Sequence, residues 1–340
     1  MSHSILRNKG TLLLGDDRVS VIRAARIIQN GGLVAFPTET VYGLGAAATD
    51  AQAVKRIFKA KGRPSDNPLI VHIADIEQLN AVVKTISTRA FMLAEHFWPG
   101  PLSLILPRAD KIPAVVSAGL STVAVRMPDH QVALDLIRAA KVPIAAPSAN
   151  RSGRPSPTSF RHVLEDLAGR IDAVIRSDTC PIGLESTVLD LTGPRPVILR
   201  PGGVSREELE AVLNCRVPVL GLNKVSGIPH SPGMKYRHYS PQAPLVLIAG
   251  PAKRRLLLIE SIVESYRRQG LSVGLLNSAI QGYMPLKAGP EMLAAHLYDS
   301  LRQMDHRDVD LILAEETEIQ GLGLAVMNRL RKAATRILKV

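Results

Sequence analysis

From Asn214 to Pro244 the sequence loses the hydrophobic periodicity that it shows on either side. Pro, Gly and Ser recur there, and no apolar spacing persists. A structureless stretch of that length is uncommon inside one compact domain and marks a linker or a functional lid. It splits the 340 residues into two periodic parts, and two domains is also what this length favours. The expected organisation is a first domain over 1–208, a linker or lid over 209–244 and a second domain over 245–340.

In the first part, short β-rich apolar runs alternate with helical patterns. Strands are expected at Gly32–Phe36, Leu69–Ile73, Leu102–Leu106, Val123–Arg126 and Ile144–Ala146. Helices are expected at Ala51–Ala60, Thr88–Phe97, Gln131–Ala140 and Ser159–Leu167. In Ala51–Ala60, Val54, Ile57 and Phe58 share one face while Lys55, Arg56 and Lys59 point away. Val188–Leu191 and Val197–Leu199 flank the turn Thr192-Gly193-Pro194, which implies an antiparallel pair and hence a mixed sheet. A helix over Ser205–Leu213 takes Ser205 as its cap. Beyond Leu245 the pattern reads β-α-β-α-β-α, enough for a small Rossmann-like α/β domain. The class is α/β throughout.

The charge balance is 42 Lys+Arg against 30 Asp+Glu, a formal +12. Such an excess points to an anionic partner: phosphate, nucleotide or nucleic acid. It is spread over both parts and the linker without a basic tail, which fits a basic cavity better than a nucleic-acid arm. Two cysteines make neither a disulfide framework nor a four-thiolate metal site. No secretory signal stands behind the opening MSHSILRNKG and no apolar run is long enough to span a membrane. A cytoplasmic protein without a membrane partner is expected.

No GxxxxGK[ST] loop and no HExxH occur, and the nine histidines show no ligand spacing, so no metal held by protein side chains is expected. Gly43-Leu44-Gly45 with Ala48 imitates a dinucleotide fingerprint, although a close approach to the sheet explains it as well. The informative residues sit at strand ends, where α/β sheets bind ligands. Pro37-Thr38-Glu39-Thr40-Val41-Tyr42 offers hydroxyls for a polar ligand, or simply caps a turn. Lys59 to Leu69 sets cations just before an apolar strand; they meet an anion or form a solvated loop. Arg126 and Arg200 each end an apolar strand, suited to a carboxylate or phosphate, or to a structural salt bridge. Ala146 to Asn150 and Glu185-Ser186-Thr187 add small hydroxyl and amide groups. No Ser/His/Asp or Cys/His pairing appears, so orientation and charge stabilisation, as in nucleotidyl or phosphoryl transfer, suit these groups better than nucleophilic catalysis.

Six motifs together, PTETVYGLG (37–45), KGRPSDNPL (61–69), VAVRMP (123–128), APSANRSG (146–153), ESTV (185–188) and SPGMKYRHYSP (231–241), resemble those of the long, two-domain form of the YrdC family, the threonylcarbamoyl-AMP synthases. The resemblance covers nearly the whole chain. It implies a twisted mixed sheet with a basic concave face, and a synthesis of threonylcarbamoyl adenylate from L-threonine, bicarbonate and ATP with release of pyrophosphate. It implies that downstream proteins transfer the product to position 37 of tRNA, with Mg2+ accompanying ATP. Carried over by motif, Thr40, His72, Arg126, Ala146 and Ser186 would hold threonine. Lys61, Arg63, Asn67, Thr122, Ser148, Asn150, Ser156 and Arg200 would hold ATP, with Lys61 and Arg63 stabilising the transition state and Tyr239 closing from the lid. The competing expectation is a non-catalytic RNA-binding module, allowed by the basic excess; the sparse aromatics speak against stacking on single strands, and weak RNA binding is compatible with either. Gly321-Leu322-Gly323 before the last helix suits tight packing or an anion site.

Overall fold

The computed structural model describes residues 6–8, 10–220, 239–276 and 289–340. The chain divides into two compact units, Met1–Ser152 with Ser156–Tyr236, and Gly153–Pro155 with Arg237–Val340. Of the expected lid, residues 221–238, including Lys235, Tyr236, Arg237 and His238, lie outside the described residues.

In chain order the strands of the first unit are β1 Leu6–Asn8, β2 Thr11–Leu14, β3 Val34–Phe36, β4 Gly43–Ala47, β5 Ile70–His72, β6 Leu102–Pro107, β7 Thr122–Arg126, β8 Ile144–Ala145, β9 Ala173–Ile175, β10 Thr187–Asp190 and β11 Val197–Arg200. They form one mixed sheet in the order β1-β2-β9-β3-β4-β8-β5-β7-β6-β10-β11. Its helices are α1 Arg18–Gln29, α2 Ala51–Lys61, α3 Leu79–Val82, α4 Thr88–Phe97, α5 Gln131–Ala140, α6 Phe160–Leu167 and α7 Arg206–Leu213. The helix starts follow from capping chemistry. Asp17, Asp50, Ser87 and Ser159 each accept from a backbone N–H of the first turn. Ser205 and Glu208 complete a capping box on α7. The boundary expected at 208 falls inside α7, and Leu209 and Val217 are buried in the core of the first unit.

Side-chain alternation gives the middle of the sheet two faces. Val71 of β5, Leu102, Leu104 and Leu106 of β6, and Val123 and Val125 of β7 enter the large apolar core. Their neighbours point the other way: Ile70 and His72, Ser103 and Ile105, Thr122, Ala124 and Arg126. On this second face Ile70, Ile105, Ala124, Val188 and Leu199 make a separate small apolar cluster. The functional candidates surround that cluster.

The glycine fingerprint reads differently in three dimensions. Gly43 and Gly45 lie inside β4, antiparallel to β3, and not in a turn before a helix. A Cβ on Gly45 would sit 2.8 Å from both Ile144 and Phe36 side-chain atoms. The glycines therefore admit neighbouring side chains of the sheet, and the dinucleotide reading falls.

In the second unit β12 Leu245–Ala249, β13 Val273–Leu276, β14 Leu311–Glu315 and β15 Arg336–Lys339 form an all-parallel sheet in the order β13-β14-β12-β15. α8 Ala252–Arg268, α9 Pro290–His306 and α10 Gly323–Ala333 accompany it. Ile248, Ile259, Val273, Leu275, Leu311 and Leu313 form a core between sheet and helix α8. The last strand, β15, is absent from the β-α-β-α-β-α pattern read in the sequence. A Cβ on Gly323 would lie 1.8 Å from the Glu318 carbonyl oxygen, so that glycine serves tight packing. No described helix is long and apolar enough to cross a membrane.

Candidate active site

Strand direction decides which residues meet. β5 and β7 run parallel, β6 is antiparallel to β7, β10 is parallel to β6 and β11 is antiparallel to β10. The C-terminal ends of β5, β7 and β11 thus share one end of the sheet with the N-terminal ends of β6 and β10. His72, Arg126, Arg200, Ser103 and Ser186 gather there, with His72 and Arg126 as register partners. Thr122 begins β7 at the other end, about 13 Å away along the strand. The approach to β5, which carries Lys61, Arg63 and Asn67, lies at that far end too. So does Ala146, whose amide donates to the Ile70 carbonyl at 2.9 Å.

Arg126, at the near end, is held by three groups. Its Nε donates to the Gly100 carbonyl at 3.2 Å and its Nη1 to Thr40 Oγ1 at 2.9 Å. Its Nη2 lies 2.6 Å from Glu39 Oε2, with both side chains buried. That contact is charge against charge without hydrogen-bond alignment: among the described residues neither Glu39 oxygen nor Arg126 Nη2 has a hydrogen-bond partner. Thr38 Oγ1 lies 2.7 Å from the Val41 carbonyl, accepts from the Thr40 and Val41 amides at 3.2 Å each, and lies 2.8 Å from Thr40 Oγ1, a contact across which either hydroxyl can donate.

Ser186 Oγ lies 2.7 Å from Ser103 Oγ, and Arg200 donates to the Ser186 carbonyl from Nη2 at 2.8 Å and from Nε at 3.2 Å. His72 is buried against Phe36. Burial first, and the Arg126 charge second, push its imidazole down to about 3, so it is neutral and acts as a hydrogen-bonding group. Its Nδ1 has no hydrogen-bond partner among the described residues.

The far end is cationic. Gly62, at φ +61, ends α2 and turns the chain so that Lys61 is the last helical residue and Arg63 opens the loop. Lys61 Nζ donates to the Ser148 carbonyl at 2.6 Å, to the Asn150 carbonyl, and to Asn150 Oδ1 at 3.4 Å. Ser148 Oγ donates to Asn150 Oδ1 at 2.5 Å. Burial, then the neighbouring Arg63 charge, hold the Lys61 ammonium well below the usual lysine range. An anion brought here would restore its charged form. Arg63 Nη2 donates to the Asn67 and Pro68 carbonyls at 3.3 and 3.1 Å. Both side-chain atoms of Asn67 are buried without a hydrogen-bond partner among the described residues, a costly state that a ligand would relieve. Ser156 Oγ donates to Glu185 Oε1 at 2.6 Å, next in sequence to Ser186.

Most residues expected to hold threonine thus lie at the near end of the strands and most expected to hold ATP at the far end, with two exceptions: Arg200, expected with ATP, is bonded to Ser186 at the near end, and Ala146, expected with threonine, lies at the far end. Tyr239 belongs to the second unit, where its ring stacks on Tyr298 with centroids 5.4 Å apart and carries Arg329 over its face. Glu39 is the residue that sequence reasoning passed over. Its only sequence signal is an acid placed between two threonines at the end of an apolar strand.

Comparison with known proteins agrees with this architecture. Residues 26–202 match the Sua5_yciO_yrdC family model, described as telomere recombination. Residues 204–335 match the Sua5_C model, described as threonylcarbamoyl-AMP synthase, C-terminal domain. The chain is 52% identical to the threonylcarbamoyl-AMP synthase of Pyrococcus abyssi over 93% of this chain and 95% of that protein. It is 48% identical to the Bacillus subtilis enzyme of the same name over 92% of each. The chain belongs to the threonylcarbamoyl-AMP synthase family. Its fold superposes on the crystal structure of P. abyssi Sua5 complexed with L-threonine at a TM-score of 0.93, 49% identity, 97% coverage of this chain and 100% of that one. Escherichia coli YciO, 23% identical and covering 56% of this chain at a TM-score of 0.50, shows the fold of this family's first unit alone. Family membership over both units makes the chain an enzyme and sets aside the non-catalytic RNA-binding module.

Proposed function

We propose that the chain condenses L-threonine, bicarbonate and ATP into threonylcarbamoyl-AMP and pyrophosphate, for N6-threonylcarbamoyladenosine formation at tRNA position 37. The observation that carries the reading is the Arg126 guanidinium, held by Gly100 and Thr40 at one end of a face whose other end gathers Lys61, Arg63 and Asn67. A carboxylate suits the first end and a triphosphate the second.

The chemistry needs positioning more than a nucleophile from the protein. The deprotonated threonine amine captures CO2 drawn from bicarbonate, giving a carbamate. A carbamate oxygen attacks the α-phosphorus of ATP, and pyrophosphate leaves. Arg126 orients the amino acid at its end of the sheet, so that its amine, once it has lost its proton, meets CO2 in a fixed position. Lys61 and Arg63 meet the charge that grows on the phosphoryl oxygens. Neutral His72 and the Ser186–Ser103 hydroxyl pair offer uncharged contacts beside the carbamate. Among the described residues no three His, Cys, Asp or Glu groups converge on a metal position. Magnesium, in this reading, arrives on the triphosphate, and no step is assigned to a metal held by the protein.

Pyrophosphate release tests the reading. It should require ATP, bicarbonate and L-threonine together. Equal release without threonine would overturn it.

A further inference from the structure

We propose that Glu39 receives the α-ammonium of the amino-acid substrate and so makes the site select zwitterions over simple carboxylates. The inference rests on the proposed function, and deepens it by naming a specificity-determining residue. Glu39 is buried, lies 2.6 Å from Arg126 Nη2, and has no hydrogen-bond partner on either oxygen among the described residues. A buried carboxylate that meets one cation at Oε2 and accepts no hydrogen bond among the described residues is an expensive arrangement unless a ligand completes it.

The pattern of donors and acceptors says which ligand. Arg126 is a donor only. Nε is committed to Gly100, one Nη1 proton to Thr40, and Nη2 lies against Glu39 without a hydrogen bond among the described residues, which leaves the second Nη1 proton and the Nη2 protons for a carboxylate. Glu39 is an acceptor only. A carboxylate docked alone on Arg126 would set two anions on one cation. An α-amino acid adds an ammonium that needs an acceptor, and the acceptor waiting there is Glu39. Substrate and site charges then alternate, and the buried cluster closes neutral.

A purely structural Glu39, serving only to hold Arg126 in place, would affect every carboxylate ligand alike. The ratio between two ligands therefore separates the roles. Titration calorimetry compares L-threonine with 3-hydroxybutanoate, which is threonine without its amino group, on wild-type protein and on Glu39→Gln. The wild type should prefer threonine by at least about fiftyfold, and Glu39→Gln should lose about tenfold or more in threonine affinity. The same variant should bind 3-hydroxybutanoate as well as wild type or better, because an anion has been removed. A Glu39→Gln protein that keeps the wild-type ratio overturns the proposal. If that variant does not fold, the wild-type ratio decides: equal affinity for the two ligands overturns the proposal, and a strong preference for threonine supports it. Wild-type protein that binds neither compound overturns the functional reading itself and this proposal with it.

Discussion

Arg126→Lys is the most informative single substitution, because it keeps the charge and removes the fork. The guanidinium makes three contacts at once: Gly100 O at 3.2 Å, Thr40 Oγ1 at 2.9 Å and Glu39 Oε2 at 2.6 Å. A lysine ammonium is a single point at the end of a flexible stem. It can remain against Glu39, but it cannot also reach a carbonyl and a hydroxyl on opposite sides. Two hydrogen bonds from a charged donor are lost, each with a net worth of about 1.5–3 kcal/mol. Some of this returns as the ammonium finds a partial substitute, so unfolding stability should fall by roughly 2–4 kcal/mol. Threonine loses its bidentate partner, and its affinity should fall by roughly 10- to 100-fold. Urea unfolding reads the first quantity and titration calorimetry the second. ATP affinity is the internal control, since Lys61 and Arg63 occupy the far end of the strands and should hold it within about threefold. A folded Arg126→Lys protein that binds threonine as tightly as wild type would refute the assignment of Arg126 as the carboxylate anchor.

Four further outcomes follow from the same geometry. Lys61→Met removes the ammonium that ties Ser148 and Asn150 together, and pyrophosphate release should drop by about a hundredfold or more in a protein with unchanged circular dichroism; full rate would place the phosphates elsewhere. Arg63→Ala should lower kcat for pyrophosphate release by about tenfold or more, and an unchanged kcat would remove Arg63 from the stabilisation of the phosphoryl oxygens. His72 is buried neutral with its pKa pushed down to about 3, so the unfolded state takes up a proton first as pH falls through the ordinary histidine value. Stability from this group is complete above about pH 6.5 and declines toward pH 3 by up to about 1.4 kcal/mol per pH unit; His72→Gln should flatten that part of the unfolding profile, and an identical slope would count against the burial argument. Gly45→Ala puts a methyl 2.8 Å from Phe36 and Ile144 atoms and should cost about 1–3 kcal/mol by urea unfolding, whereas a neutral result would mean that β3 and β8 yield more easily than their packing suggests.

Helices with polar punctuation could be read directly from the residues. Thr88–Phe97 and Gln131–Ala140 agree with α4 and α5 to the residue, because a serine cap and the prolines after Trp98 bracket the first, and a sharp apolar stripe defines the second. α1 was less visible. Its buried face mixes Ala24 and Ala25 with Val21 and Ile28, while Val19, 75% exposed, and Ile22 blur the period from outside. β4 is five buried residues, Gly43–Ala47, with no β-branched or aromatic side chain, so local preference describes a turn where tertiary packing makes a strand. At the site, Arg126 and Arg200 stood out because each ends an apolar run. Glu39 did not, since an acid in a hydroxyl-rich turn reads as solvated. Only the pairing of distant strands brings the Arg126 guanidinium beside it, and no local pattern encodes that meeting. Asn67 illustrates the same limit: its burial without partners is a property of the fold around the loop.

The central claim is that one face of this sheet joins threonine, CO2 and AMP. Mass spectrometry of the reaction with 13C-labelled bicarbonate tests it most directly. The account predicts threonylcarbamoyl-AMP carrying the label, formed only when threonine and ATP are both present. AMP or ADP without any labelled adenylate, under conditions where pyrophosphate or phosphate accumulates, would contradict it.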